Sequence, residues 1–122
     1  MAAREHPTPP PSVVPPPSAA EDPAAALVAA GLEGPVLVVA DDDSIGRLAP
    51  AWAASFAAVG WVHRVVAGRD ADPAEVESLA AEARSLKAAT VIGTGGASVR
   101  AAARAAAAAV GRPFVEAATG GS

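Results

Sequence analysis

Residues 89–110 read ATVIGTGGASVRAAARAAAAAV, and their order decides the fold. A short apolar run, Ala89–Gly93, meets a glycine-rich turn, Thr94-Gly95-Gly96-Ala97-Ser98. A long alanine segment follows, from about Ser98 to Val110, and Gly111 closes it. The first run suits a strand covered on both faces, and the alanine segment suits a helix ended by a left-handed glycine. A strand passing through a tight glycine turn straight into a helix is half of a βαβ unit.

The same alternation extends outward. Asp22-Pro23 is an N-cap with Pro in the first helical turn, and the helix it opens, AAALVAA, ends at Gly31. Gly34-Pro35 turns the chain into Val36-Leu37-Val38-Val39-Ala40, apolar throughout and closed by Asp41-Asp42-Asp43. A helix from about Ser44 or Ala49 to Val59 follows, with Leu48, Trp52, Phe56 and Val59 on one face and Pro50 expected in its first turn. Residues 61–67 read as a second strand, and Asp72-Pro73 with Glu75 opens a further helix to about Lys87, its stripe being Val76, Leu79, Ala83 and Leu86. Past Gly111, Pro113-Phe114-Val115 starts a fourth strand. The order α-β-α-β-α-β-α-β predicts a parallel sheet wound in right-handed units, a Rossmann-like three-layer α/β fold with helices on both faces. Such sheets bind ligands at the carboxyl ends of their strands.

Upstream, residues 1–21 form a Pro-rich leader, expected to be disordered or polyproline II-like, either a bland tail or a ligand for an SH3-type domain. No continuous apolar run follows Arg4, so it is no secretory signal. The folded domain is placed at 22–122. Of its 122 residues 35 are Ala, so large apolar side chains are few and the core is thin. Absent cysteine rules out a disulfide scaffold and a thiolate metal site and suits a cytoplasmic protein. A net charge of −4 argues against nucleic acid as a partner, and no apolar run is long enough to span a membrane.

Two features fall at the strand ends. In the glycine turn, Gly95 and Gly96 let backbone N–H groups approach an anion, the helix start behind them adds its dipole, and Ser98 can cap that helix and donate to a phosphate oxygen. That makes a pyrophosphate cradle, or else a plain strand-to-helix turn. In the acidic triplet, Asp41 can take a ribose hydroxyl pair, while Asp42 and Asp43 equally suit a solvated helix cap. VLVVADDDS also looks like the opening of a response-regulator receiver domain, but the carboxylate that family needs after its third strand is missing from Ala89–Gly93. His6 and His63 do not form a metal site, and Ser44, Ser98 and Thr119 have no neighbouring base in sequence.

Residues 91–122 (VIGTGGASVRAAARAAAAAVGRPFVEAATGGS) resemble the glycine-rich signature of the iron-containing alcohol dehydrogenase superfamily, which includes glycerol dehydrogenase, glycerol-1-phosphate dehydrogenase and 3-dehydroquinate synthase. Gly95, Gly96 and Ser98 match the turn of that signature and Val99 and Ala103 its helix. Gly111, Pro113 and Phe114 match the next strand, and Thr119 and Ser122 match its closing motif. The signature's third Gly is Ala97 here, its helix Asp is Ala101, its Lys is Arg104 and its second closing Thr is Gly120. The resemblance covers about residues 22–122. It implies an NAD(P)-binding portion: Asp41 on a ribose, Gly95, Gly96, Ala97 and Ser98 on the pyrophosphate, and Thr119 beside the nucleoside. The family's helical domain, which holds the catalytic metal, has no counterpart in these residues. The expectation is a truncated domain without catalysis of its own, completed by such a domain or by self-association. The alternative is a non-enzymatic α/β interaction or regulatory module that has lost the cofactor.

Overall fold

The computed structural model describes residues 21–117; residues 1–20, and with them the expected leader, and Thr119 lie outside the described residues. Eight elements follow in the expected order: α1 (Pro23–Ala29), β1 (Val36–Ala40), α2 (Asp42–Ala58), β2 (His63–Ala67), α3 (Pro73–Leu86), β3 (Thr90–Thr94), α4 (Ala97–Val110) and β4 (Phe114–Ala117). The four strands form one parallel sheet in the order β2-β1-β3-β4.

Alternation along β1 divides the interior in two. Val36, Val38 and Ala40 face α1 and α2, where they meet Leu27, Trp52 and Phe56. Leu37 and Val39 face the other way, into a cluster with Leu79 and Ala83 of α3 and Val99, Ala103 and Ala106 of α4. Every residue of β1 and β3 is buried, as a central parallel strand requires. From β1 the chain crosses to β2 on one side, then returns past β1 to β3 on the other. The reversal leaves a crevice between the carboxyl ends of β1 and β3.

Local chemistry accounts for the helix ends. Asp22 caps α1 through the Ala25 N–H and accepts from the Ser55 hydroxyl at 2.7 Å, which ties α1 to α2. Asp72 accepts from the Glu75 N–H at 2.9 Å at the start of α3. In α2 the structure corrects the expected boundary. The helix begins at Asp42, with Asp41 as its N-cap, and Pro50 lies inside it rather than in its first turn. The ring removes one bond to the Gly46 carbonyl, and an interior proline costs about 3 kcal/mol. Trp52 and Phe56, both fully buried, contribute roughly 3–6 kcal/mol between them and outweigh it.

With so few large side chains, α4 gains its packing by proximity. A Cβ at Gly93 of β3 would stand 2.8 Å from the Ala103 Cβ and 2.9 Å from Phe114 Cε1. Glycine in the strand and alanine in the helix let the two backbones approach. At the β4 edge, Arg100 and Arg104 both pair with Glu116, and the Arg104 guanidinium lies over the Phe114 ring at 5.1 Å. Among the described residues no helix is long and apolar enough to cross a membrane.

Gly93→Val is expected to lower the unfolding free energy by about 1–3 kcal/mol by overpacking. Urea denaturation should show a lower midpoint at unchanged slope. An unchanged midpoint would mean that α4 is not seated on β3 in this way.

Candidate functional site

The site is built by pairing β1 with β3. Ala40 and Thr94 stand opposite each other at the last register position, so the residues that follow each strand emerge side by side. After β1 that residue is Asp41; after β3 it is Gly95. Gly95 has φ +115°, and a Cβ there would fall 2.4 Å from Asp41 Oδ2. Glycine is demanded twice over, by backbone conformation and by the carboxylate against it.

Gly96 is the N-cap of α4, with φ −69° and ψ 166°, and no side chain of its own helix caps it. Its N–H instead donates to Asp41 Oδ2 at 3.1 Å. Asp41 Oδ1 accepts from the Ser44 N–H at 2.8 Å, so one carboxylate joins the starts of α2 and α4. These donors hold the Asp41 carboxyl below its ordinary range. The Ser44 N–H contributes most and the Ser44 hydroxyl next; burial opposes them, and the Gly96 N–H and then Arg47 each lower the pKa by less than burial raises it.

Thr119 aside, which lies outside the described residues, the expected site residues fall in one place, with two changes of role. Asp41, Gly95, Gly96, Ala97 and Ser98 converge on the β1/β3 crevice, and Gly96, Ala97 and Ser98 are exposed. Ser98 does not cap α4, contrary to expectation; it is the second residue of the helix, and Gly96 holds the cap position. The first N–H groups of α4 lack intrahelical partners and are available to an anion. Asp42 and Asp43 lie in the first turn of α2 and are exposed, and Asp43 pairs with Arg47 at 3.1 Å; the residue that caps α2 is Asp41. Thr94 adds a feature that the sequence did not flag. It is buried, and among the described residues its Oγ1 has no hydrogen-bond partner. Only the register that places Thr94 beside Ala40 reveals it.

Elsewhere, His63 lies on β2 with its ring stacked on Phe56 at 4.9 Å, and partial burial lowers its pKa. Among the described residues no three or more His, Asp or Glu side chains gather as a metal site would need. A cavity of about 290 Å³ opens between the far ends of α3 and α4, lined by Arg84, Lys87, Val110 and Arg112, and includes none of the expected residues.

No family model matches the chain, and no curated protein matches it in sequence. Solved structures do match. A probable glycerol dehydrogenase from Sinorhizobium meliloti aligns with a TM-score of 0.68 at 21% identity, over 82% of this chain and 26% of that one. An NADH-dependent butanol dehydrogenase from Thermotoga maritima gives 0.61 at 26% identity, over 74% and 23%. Maleylacetate reductase from Agrobacterium tumefaciens gives 0.65 at 16% identity, over 97% and 33%. The chain spans between 23% and 33% of the length of these structures. Its α/β fold is that of a fragment of these enzymes.

Two titrations, one in the crevice and one on β2, give the fold a pH signature. His63 has a folded pKa below its ordinary 6.5, so the unfolded chain takes up its proton first, and stability falls as pH drops through 6.5. Asp41, lowered from 3.8, contributes stability that is present above that value and lost as pH falls through the folded pKa. Urea midpoints should decline between about pH 7 and pH 5, in the range where histidine titrates, and His63→Phe should flatten that decline. A wild-type midpoint constant over this range would contradict the placement of His63 against Phe56.

Proposed function

We propose that the chain binds a nicotinamide dinucleotide, NAD or NADP, at the β1/β3 crevice, as the nucleotide-binding portion of an oxidoreductase of the iron-containing alcohol dehydrogenase type. The observation that carries this reading is the exposed glycine turn at the start of α4, which has no side-chain cap of its own and lies at the carboxyl ends of two central parallel strands. In this reading the backbone of Gly95, Gly96, Ala97 and Ser98 holds the pyrophosphate, Asp41 meets a ribose hydroxyl pair, and Thr119 lies beside the nucleoside. The turn leaves room for the group, because the Cβ position of Gly96 faces open space. The nicotinamide, when bound, supplies hydride transfer. The described residues offer no ligand set for a catalytic metal, and in this reading ligands for turnover come from a further domain or a partner.

One observation favours the second reading, a non-enzymatic α/β module that has lost the cofactor: the N–H that would hold the pyrophosphate is bonded to the protein's own carboxylate.

Fluorescence titration with NADH separates the two. The wild-type chain is expected to bind, and Gly96→Val to lose at least about tenfold in affinity, because a branched side chain would stand where the pyrophosphate approaches the backbone. The fold of the variant should persist, since nothing lies within 4 Å of the new Cβ and the glycine has negative φ. A Gly96→Val chain that melts like wild type and binds NADH equally well would remove the cradle from the account. Absence of binding by the wild type would leave the module reading.

A further inference from the structure

We infer that the cavity between the carboxyl ends of α3 and α4 binds a small phosphate monoester, with Arg84, Lys87 and Arg112 on the phosphate and Ala83, Ala88 and Val110 beside its carbon chain. The site lies at the other end of α4 from the glycine turn and shares no residue with the β1/β3 crevice. It stands independently of the dinucleotide reading.

The charge there runs against the charge of the chain. The protein carries a net charge of −4, yet three cations and no carboxylate line this cavity of about 290 Å³. Elsewhere Arg47, Arg64, Arg100 and Arg104 each have a carboxylate partner. Among the described residues, Arg69, Lys87 and Arg112 have no ion pair, and two of these three line the cavity. Its third cation, Arg84, has an exposed pair with Glu77 at 3.5 Å, of the kind that contributes little and yields to a better anion. Positive charge is thus gathered where the fold supplies little to neutralise it.

The backbone points the same way. Lys87 has φ 58° and ψ 45°, and among the described residues it is the only non-glycine with positive φ. The neighbouring helix α4 ends in the same left-handed conformation, but with Gly111 at φ 67°. A Cβ in this conformation costs free energy that glycine avoids, so the lysine gives up stability for what its side chain does. Cations suit helix C-termini in general, but here the main chain already closes both ends. The Lys87 N–H donates to the Ala83 and Arg84 carbonyls, the Gly111 N–H to those of Ala107 and Ala108, and the Arg112 N–H to that of Ala107. Two guanidinium forks and an ammonium offer more donors than one carboxylate accepts, and they suit the terminal oxygens of a phosphate dianion. Ala83 and Ala88 are buried and form an apolar floor beside them, and the volume sits at the small end of ligand pockets. A phosphate monoester on a short carbon chain meets both halves of this lining. The phosphates of NADH are bridged to each other and present no terminal dianion.

The test follows amide shifts of the labelled full chain at pH 8 and low salt, with ethyl phosphate, ethyl sulfate and inorganic phosphate as probes. At that pH ethyl phosphate is a dianion, while ethyl sulfate has the same shape and a single charge. Ethyl phosphate is expected to give saturable shifts at Lys87, Ala88 and Arg112. It should bind at least about tenfold more tightly than ethyl sulfate, the scale of one hydrogen bond between charged groups, and more tightly than inorganic phosphate, which leaves the apolar floor uncovered. Lys87→Gly should lose at least about tenfold in ethyl phosphate affinity while its urea midpoint stays level or rises, so that the loss cannot come from unfolding. Arg112→Gln should lose affinity on the same scale. Absence of saturable wild-type shifts at these residues would overturn the proposal, as would equal binding of ethyl sulfate or inorganic phosphate, or unchanged affinity in both variants. A lowered urea midpoint in Lys87→Gly would also overturn it, because the lysine would then serve the helix end.

Discussion

The parallel pairing of β1 with β3 is the constraint on which the rest depends. It places Ala40 beside Thr94, so that Asp41 and Gly95 leave the sheet together. It also makes β1 the strand covered on both faces, with Val36, Val38 and Ala40 turned to one layer and Leu37 and Val39 to the other. The reversal of winding beside β1 opens the crevice, and the starts of α2 and α4 border it. Shifting this register by one residue would turn the alternate side chains of the strand to the wrong layers and separate the Asp41 carboxylate from the Gly96 N–H.

Small side chains shape the packing around that constraint. On the α1/α2 face, Trp52, Phe56 and Leu27 fill volume in the ordinary way. On the α3/α4 face, Ala80, Ala83, Ala102, Ala103, Ala106 and Ala107 are buried, and closeness substitutes for bulk. An alanine contributes little by area burial, but it lets a helix approach the glycine of β3, where dispersion contacts between backbones accumulate. The second face is therefore the one most sensitive to an added methyl group, and it is the face from which the glycine turn leads into α4.

Much of this was legible in the residues. Period-free apolar runs such as Val36–Ala40 between Gly-Pro and Asp can be little else than buried parallel strands, and Asp-Pro at positions 22–23 and 72–73 announced two helices. The glycine turn and Asp41 were recognisable as candidates because each ends a buried strand. The boundary of α2 was not, because Pro50 argues for a helix start while the deciding facts, the burial of Trp52 and Phe56 and the cap by Asp41, are tertiary. Ser98 looked like a cap by position, yet the carboxylate that bonds the Gly96 N–H lies 55 residues away in sequence. Such a contact follows from strand register, which an isolated sequence pattern does not encode. The unpaired hydroxyl of Thr94 belongs to the same class, since a threonine at a strand end is ordinary until its neighbours are known.

The central claim is that the Gly96 amide and the first turn of α4 receive the dinucleotide. The most direct measurement is an amide nitrogen–proton correlation spectrum of labelled chain during titration with NADH. The account predicts saturable shifts largest at Gly95, Gly96, Ala97 and Ser98, with Asp41 and Ser44 moving along the same binding curve. Shifts centred instead on Arg84, Lys87 and Arg112 at the opposite ends of the helices, or no saturable shift at the glycine turn, would contradict it.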